Sequence, residues 1–270
     1  MTGAAQRAAN GEVSIAFEAQ GSGPPLLGIM GLGYGRWGWE PVVDLVARRH
    51  RLLTFDNRGY GESDTPPGPY TAAQLAGDAL AVLDAAGVDR AHVLGASLGG
   101  AVAQELALRH PGRVDRLVLV ATMSGMTNMH PIPAPTLQLM AEAPTLDPAI
   151  ALRRFVENAL KPEPQPALVE RIVAIRTANP PDPAGWAAQA GIWSSFDVWD
   201  ELPNVSAPTL VVQGEGDVVV DPRNAAALAG RIPGAQLRLV PGGHLFFWNR
   251  PAEFAALLEE FLDADEAHDE

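Results

Sequence analysis

Cysteine is absent from the 270-residue chain. Its absence excludes disulfides, thiolate zinc sites and a cysteine nucleophile together, and it leaves the redox compartment open. Basic residues are few: 19 Lys and Arg stand against 32 Asp and Glu, a net charge of −13. A chain with so few cations lacks the clusters that nucleic acid or anionic lipid demands, so neither is an expected partner. The acidic balance itself reads as a solubility device. Long hydrophobic runs are missing too. No stretch approaches the roughly 18 apolar residues of a membrane span, and the N-terminal MTGAAQRAANGE has no apolar core of the signal-sequence kind. The expectation is a cytoplasmic protein acting on a small molecule, as a monomer or homodimer.

What is present is ordinary for a globular protein: 47% hydrophobic and 19% charged residues. The length suits one large α/β unit. The first ten residues read as a loose tail, followed by a hairpin turn at Asn10-Gly11 and an alternating strand from Val13 to Ala19. A short apolar strand, Pro25 to Met30, stops at Gly31. Arg51 to Phe55 is a strand ending in the polar turn Asp56-Asn57-Arg58-Gly59. Thr71 to Ala86 is a helix with Leu75, Ala79, Val82 and Leu83 on one face and Gly87 past its end. A strand at Ala91 to Leu94, a helix at Leu98 to His110 and a buried-type strand at Val114 to Ala121 follow.

The rhythm breaks between about 124 and 203, a stretch rich in Pro and Met that reads as helices with irregular joints. Strand patterns return at Thr209 to Gln213 and Gln236 to Val240, with helices at Arg223 to Arg231 and Ala252 to Leu262 and an acidic, frayed tail after Asp263. Alternating strands and helices imply a mostly parallel central sheet flanked by helices on both faces. The expected division is a core over 1–123, a helical cap over 124–203 inserted before the penultimate strand, and the rest of the core over 204–270.

Gly95-Ala96-Ser97-Leu98-Gly99 leaves a strand and opens a helix. G-x-S-x-G in that setting places a serine on a strained bend, with small neighbours and a helix N-terminus behind it. A serine hydroxyl needs a base. Of His50, His92, His110, His130, His244 and His268, only His244 follows directly on a late strand, after Pro241-Gly242-Gly243, at the sheet edge that also carries Ser97. A carboxylate must orient the imidazole. Asp217 in Gly214-Glu215-Gly216-Asp217 is the choice, with Glu215 and then Asp221 as rivals that could instead form a turn or cap a helix. The expected oxyanion donors are the backbone N–H groups of Leu98 and of Leu32 in Met30-Gly31-Leu32-Gly33-Tyr34-Gly35. That loop lacks the Gly-Lys-Ser/Thr of a phosphate loop and misses the G-x-G-x-x-G spacing.

GIMGLG, FDNRGYGESD, GASLGG, PTLVVQGEGD and PGGHLFFWNRP occur in this order, and together they resemble the α/β-hydrolase superfamily from about Val13 to Leu262. The resemblance is nearest to small bacterial carboxylesterases, lactonases and cofactor-free haloperoxidase (perhydrolase) relatives. It implies the α/β-hydrolase fold, no metal and no organic cofactor, and a lid over 124–203. Met126, Met129, Met140, Trp186, Trp193, Phe196 and Trp199 in that segment suggest either an apolar, adaptable pocket wall or the lid's own core. Met30, Gly31, Met123, Met126, Trp193, Phe196 and Leu245 are the expected pocket residues. Asp56, Arg58 and Ser63 read as structural braces. Many relatives carry His-Gly where Met30-Gly31 stands, so the hydrogen bond by which that histidine would brace the oxyanion loop is not expected here. Epoxide hydrolases and haloalkane dehalogenases carry Asp at the elbow, which sets them aside.

The implied activity is hydrolysis of a carboxylic ester or lactone through an acyl-enzyme on Ser97. Alternatives on the same residues are thioester or C–C bond hydrolysis and peracid formation. A lyase or cyclase using His244 as acid/base, and a non-catalytic ligand receptor, stand further off.

Overall fold

The computed structural model describes residues 5–264, so the sequence readings that fall on 265–270, including His268, lie outside the described residues. Eight strands form one sheet: β1 (Gln6–Asn10), β2 (Val13–Gln20), β3 (Pro25–Ile29), β4 (Arg51–Phe55), β5 (Ala91–Ala96), β6 (Val114–Val120), β7 (Thr209–Gly214) and β8 (Gln236–Val240). Their spatial order is β1-β2-β4-β3-β5-β6-β7-β8; β2 runs antiparallel to both of its neighbours, and the other pairs are parallel. The supposed N-terminal tail is thus in part an edge strand. Asn10 pairs with Val13, which moves the hairpin turn one residue on, to Gly11-Glu12, with Gly11 at φ +62°.

The helices are α1 (Glu40–Val46), α2 (Ala72–Ala85), α3 (Leu98–Arg109), α4 (Ala134–Glu142), α5 (Pro148–Ala159), α6 (Pro166–Ala178), α7 (Pro183–Ala190), α8 (Arg223–Arg231), α9 (Phe246–Asn249) and α10 (Pro251–Leu262). Thr71 caps α2 through a reciprocal box with Gln74 (3.2 and 2.9 Å). In the proline-rich stretch, Pro148, Pro166 and Pro183 each open a helix, the position where a missing N–H costs nothing. Asp147 and Asp182 accept the first free amides of α5 and α7.

Side chains along the central strands alternate between two cores, as the two-residue period requires. Leu27, Leu53, Val93, Leu117, Leu119 and Val211 meet α2, α3 and α8 on one face, while Leu26, Leu52, Leu94, Val118, Val120 and Val212 meet α1 and α10 on the other. Each fully buried aliphatic side chain stabilises the fold by about 1.5–3 kcal/mol. α4 to α7 lie in the chain between β6 and β7, and no strand interrupts them. β3 is where the strand order reverses: the chain goes from β3 to β4 on one side and returns to β5 on the other. A crevice outside the carboxyl ends of β3 and β5 follows from that reversal. Among the described residues no helix is long and apolar enough to cross a membrane.

Buried charges hold the loops at this edge. Arg58 makes a bidentate pair with Asp78 of α2 (2.6 and 2.6 Å), and Asn10 adds a bond to the same carboxylate (2.9 Å). Asp56 accepts the backbone N–H groups of Arg36 (2.8 Å) and Glu62 (3.0 Å) and pairs with the Arg36 guanidinium. Burial pushes the Asp56 carboxyl up from its ordinary value, against those two amides and the guanidinium, which pull it down. Ser63 donates to the Asp56 carbonyl (2.6 Å) and accepts the Ala16 amide (2.9 Å). All three residues read as braces in the sequence are therefore tied into the frame.

Asp78 is fully buried, and removing one partner of a buried pair leaves an uncompensated charge. Asp78→Ala is expected to lower stability by about 3–5 kcal/mol in urea unfolding. A loss below about 1 kcal/mol would show that Arg58 finds water or another acceptor.

Candidate active site

Ser97 stands between β5 and α3 at φ +54°, ψ −119°. A side chain in that left-handed region costs on the order of 1–3 kcal/mol and persists only where surroundings impose it. Its amide donates to Val120 O (2.9 Å), and its carbonyl accepts Thr122 Oγ1 (2.7 Å). Gly99 lets α3 press on β3: a Cβ there would fall 2.9 Å from Met30 O and nearer still to Ile29. As the first residue of α3, Leu98 has no carbonyl within the helix for its N–H.

The loop after β3 closes over this bend. Tyr34 N donates to Gly31 O (3.3 Å), and Gly33 takes φ +72°, the requirement at the third position of a type II turn. A Cβ on Gly31 would lie 2.9 Å from Ser97 Cβ and 3.4 Å from Ser97 Oγ, so the loop backbone packs directly on the serine. Leu32, second in the turn, has an N–H outside the turn's own bond. Asn57 Nδ2 donates to Met30 O (2.9 Å). The Met30 side chain is buried against Gly38, where a Cβ would sit 2.9 Å from Met30 Cγ. Asn57, on the loop after β4, thus ties the backbone of the loop after β3 at Met30.

Two strands and more away in the sheet, Asp217 follows β7 and His244 follows β8. His244 Nδ1 lies 2.8 Å from Asp217 Oδ2. The same carboxylate accepts Gln213 Nε2 on Oδ2 (2.9 Å) and the amides of Val219 (2.7 Å) and Val220 (3.0 Å) on Oδ1. Four donors thus fill a carboxylate whose side chain is fully buried, the condition for keeping a buried anion. The rivals are elsewhere: Glu215 is exposed, and Asp221 pairs with Arg223 (2.6 Å) and caps its amide (2.9 Å).

Three other described histidines, His50, His92 and His110, lie at the opposite edge, by the starts of β4, β5 and β6. His50 and His92 are buried together, ring centroids 5.9 Å apart, with His50 at 3.4 Å from Asp263 and His92 at 3.4 Å from Asp115. Burial holds the His92 imidazole below its ordinary value. His110 ends α3, and the His130 amide donates to Asn224 Oδ1 (2.6 Å) before α4 begins.

Among the expected pocket residues, Met123 is buried and its carbonyl accepts Gln104 Nε2 (3.1 Å). Trp193 and Phe196 stack edge-on, 5.9 Å apart, against the α2–α3 core; Leu245 is buried and its amide donates to Ala159 O (3.0 Å); Met126 is exposed. Gln213, Asn57 and Thr122 went unnoticed in the sequence. A lone polar residue at the end of the apolar run Thr209–Gly214, four positions before the acid, was the available signal for Gln213.

A model of the alpha/beta hydrolase fold matches residues 24–251, and the chain belongs to that family. It is 30% identical over 263 residues to a putative carbamate hydrolase, RutD, of Azorhizobium caulinodans, covering 93% of this chain and 96% of that one. The crystal structure of a hydrolase from Pseudomonas aeruginosa PA01 superposes with a TM-score of 0.83 at 32% identity, covering 97% of this chain and 99% of that one. The enol-lactonase of Burkholderia xenovorans LB400 gives a TM-score of 0.83 at 26% identity, covering 95% and 99%. The chain is a hydrolase of this fold.

Gly31→Ala is expected to lower the rate of hydrolysis about a hundredfold, because the added methyl displaces the loop from the serine, while the circular dichroism spectrum stays that of the parent. An unchanged rate would show that the Gly31 backbone takes no part in the site.

Proposed function

We propose that the chain is a serine hydrolase that cleaves a carboxylic ester or lactone of a small substrate through an acyl-enzyme on Ser97. The observation that carries this reading is the strained Ser97, at φ +54°, packed against the Gly31 loop at the sheet edge that also carries the His244–Asp217 pair. The similarity to an enol-lactonase supports a lactone or ester carbonyl as the reacting group.

The reaction then runs in two halves. Ser97 Oγ attacks the carbonyl carbon as His244 Nε2 takes its proton; the tetrahedral oxyanion is held by the Leu32 and Leu98 N–H groups. The C–O bond to the alcohol breaks, and His244 returns the proton to the departing oxygen. Water, deprotonated by the same imidazole, attacks the acyl-serine, and the carboxylic acid leaves with Ser97 restored. Asp217 holds Nδ1 protonated throughout, and its four donors keep it from rotating away. No metal or organic cofactor enters any step.

Residues 124–203 act as the cap in this proposal, over a core formed by 1–123 and 204–270. Gly31, Met123, Met126, Trp193, Phe196 and Leu245 make the pocket wall, whereas the Met30 side chain is spent on packing against Gly38.

Steady-state hydrolysis of p-nitrophenyl esters of increasing acyl length is the test. Ser97→Ala is expected to lose about 10⁴-fold or more in kcat, with a thermal unfolding midpoint close to that of the parent, since the backbone strain at φ +54° is the same for alanine. Equal rates in both proteins would refute the acyl-enzyme.

A further inference from the structure

α6 carries three charged residues beyond its first turn, Glu170, Arg171 and Arg176. Two are paired: Glu170 with Arg153 (2.8 Å), and Arg171 with Glu40 (2.9 Å). Arg176, half-buried, has no carboxylate within 4.0 Å and donates no hydrogen bond among the described residues. In a chain where 32 acids face 19 bases, an unpaired and partly desolvated guanidinium is a cost that a ligand can offset.

Its position is defined on three sides. The guanidinium lies over the Tyr34 ring, 4.8 Å from the centroid. Arg176 Nη2 comes within 3.1 Å of the place a Cβ on Gly33 would occupy, and Trp186 Nε1 of α7 within 3.4 Å of the same point. The Trp186 indole N–H also meets no protein acceptor among the described residues. Two donors from α6 and α7 therefore converge on Gly33, in the same tight turn whose Gly31 packs on Ser97. Two acids on the adjoining segments are committed elsewhere: Asp182 caps the Gly185 amide (2.8 Å), and Asp56 is paired with Arg36. Tyr60 donates its hydroxyl to Asn179 O (2.8 Å), and burial holds its phenol above the ordinary value, so it offers no counter-charge.

The geometry points to a carboxylate-binding subsite made by Arg176 and Trp186 above Gly33, which selects esters or lactones whose acyl part carries a second carboxylate. The inference rests on the acyl-enzyme reading for its placement. His244 lies on the β8 side of Ser97 and protonates the leaving oxygen, so the alcohol departs toward that side. The Gly33 turn follows β3, on the opposite side of β5, and the acyl remainder extends toward it. A guanidinium presents two parallel N–H groups to a carboxylate, and an indole N–H adds a third donor.

The test compares p-nitrophenyl monoglutarate with p-nitrophenyl butyrate in the parent and in Arg176→Met. The parent is expected to prefer the anionic ester. In Arg176→Met that preference should fall about tenfold or more, through KM on the glutarate ester alone, with kcat and the butyrate kinetics unchanged. Arg176→Lys should recover part of it. A parent with no preference, or a preference unaltered in Arg176→Met, overturns the subsite. If neither ester is turned over, the acyl-enzyme reading fails separately, and calorimetric binding of glutarate decides: binding lost in Arg176→Met supports the subsite, whereas equal binding in both proteins, or none in the parent, rejects it.

Discussion

Ser97 at φ +54° is the constraint on which the rest of the site depends. A left-handed serine does not hold itself in place; three neighbours do so. β6 receives its amide at Val120, Thr122 clamps its carbonyl, and Gly99 allows α3 to pack against β3 closely enough to fix the bend. The two-sided core beneath β5 supplies the free energy, since Val93 and Leu94 are buried on opposite faces and cannot shift register without exposing one set. Strain of a few kcal/mol is small against that burial, and it leaves the hydroxyl on the outer edge of the sheet, beside the Gly31 loop.

The proposed acid and base are held by a different means. Asp217 and His244 sit on loops after β7 and β8, where no strained residue fixes them. Hydrogen bonds do that work: the carboxylate accepts four donors, two from its own turn, one from Gln213 and one from His244. The loop over Ser97 uses the same device, with Asn57 holding the Met30 carbonyl. The site therefore rests on one rigid bend and three hydrogen-bonded loops, all carried at the carboxyl ends of parallel strands.

Much of this was legible in the sequence where the pattern was strong. The strands Arg51–Phe55 and Gln236–Val240 and the helix Arg223–Arg231 have the bounds that their apolar periods and turn residues suggest. β1 was missed because Gln6–Asn10 has only Ala8 buried, too little to show an alternating pattern. α1 and α9 were not anticipated because their starts lie in aromatic, glycine-rich or loop-like segments, Arg36–Trp39 and Pro241–Leu245, that carry no helix signal of their own. The G-x-S-x-G bend and the late histidine stood out because each occupies a position that the chemistry demands. Gln213 and Arg176 did not, since their meaning comes from partners the chain brings together: Gln213 from how its side chain meets Asp217, and Arg176 from a turn more than a hundred residues earlier.

The most direct measurement is the intact mass of the enzyme quenched in acid during turnover of a p-nitrophenyl ester, with the adduct located by peptide mapping. The account predicts a mass increase equal to one acyl group, carried by the peptide that contains Ser97. Turnover with no covalent adduct, or with an adduct on a residue other than Ser97, would contradict it.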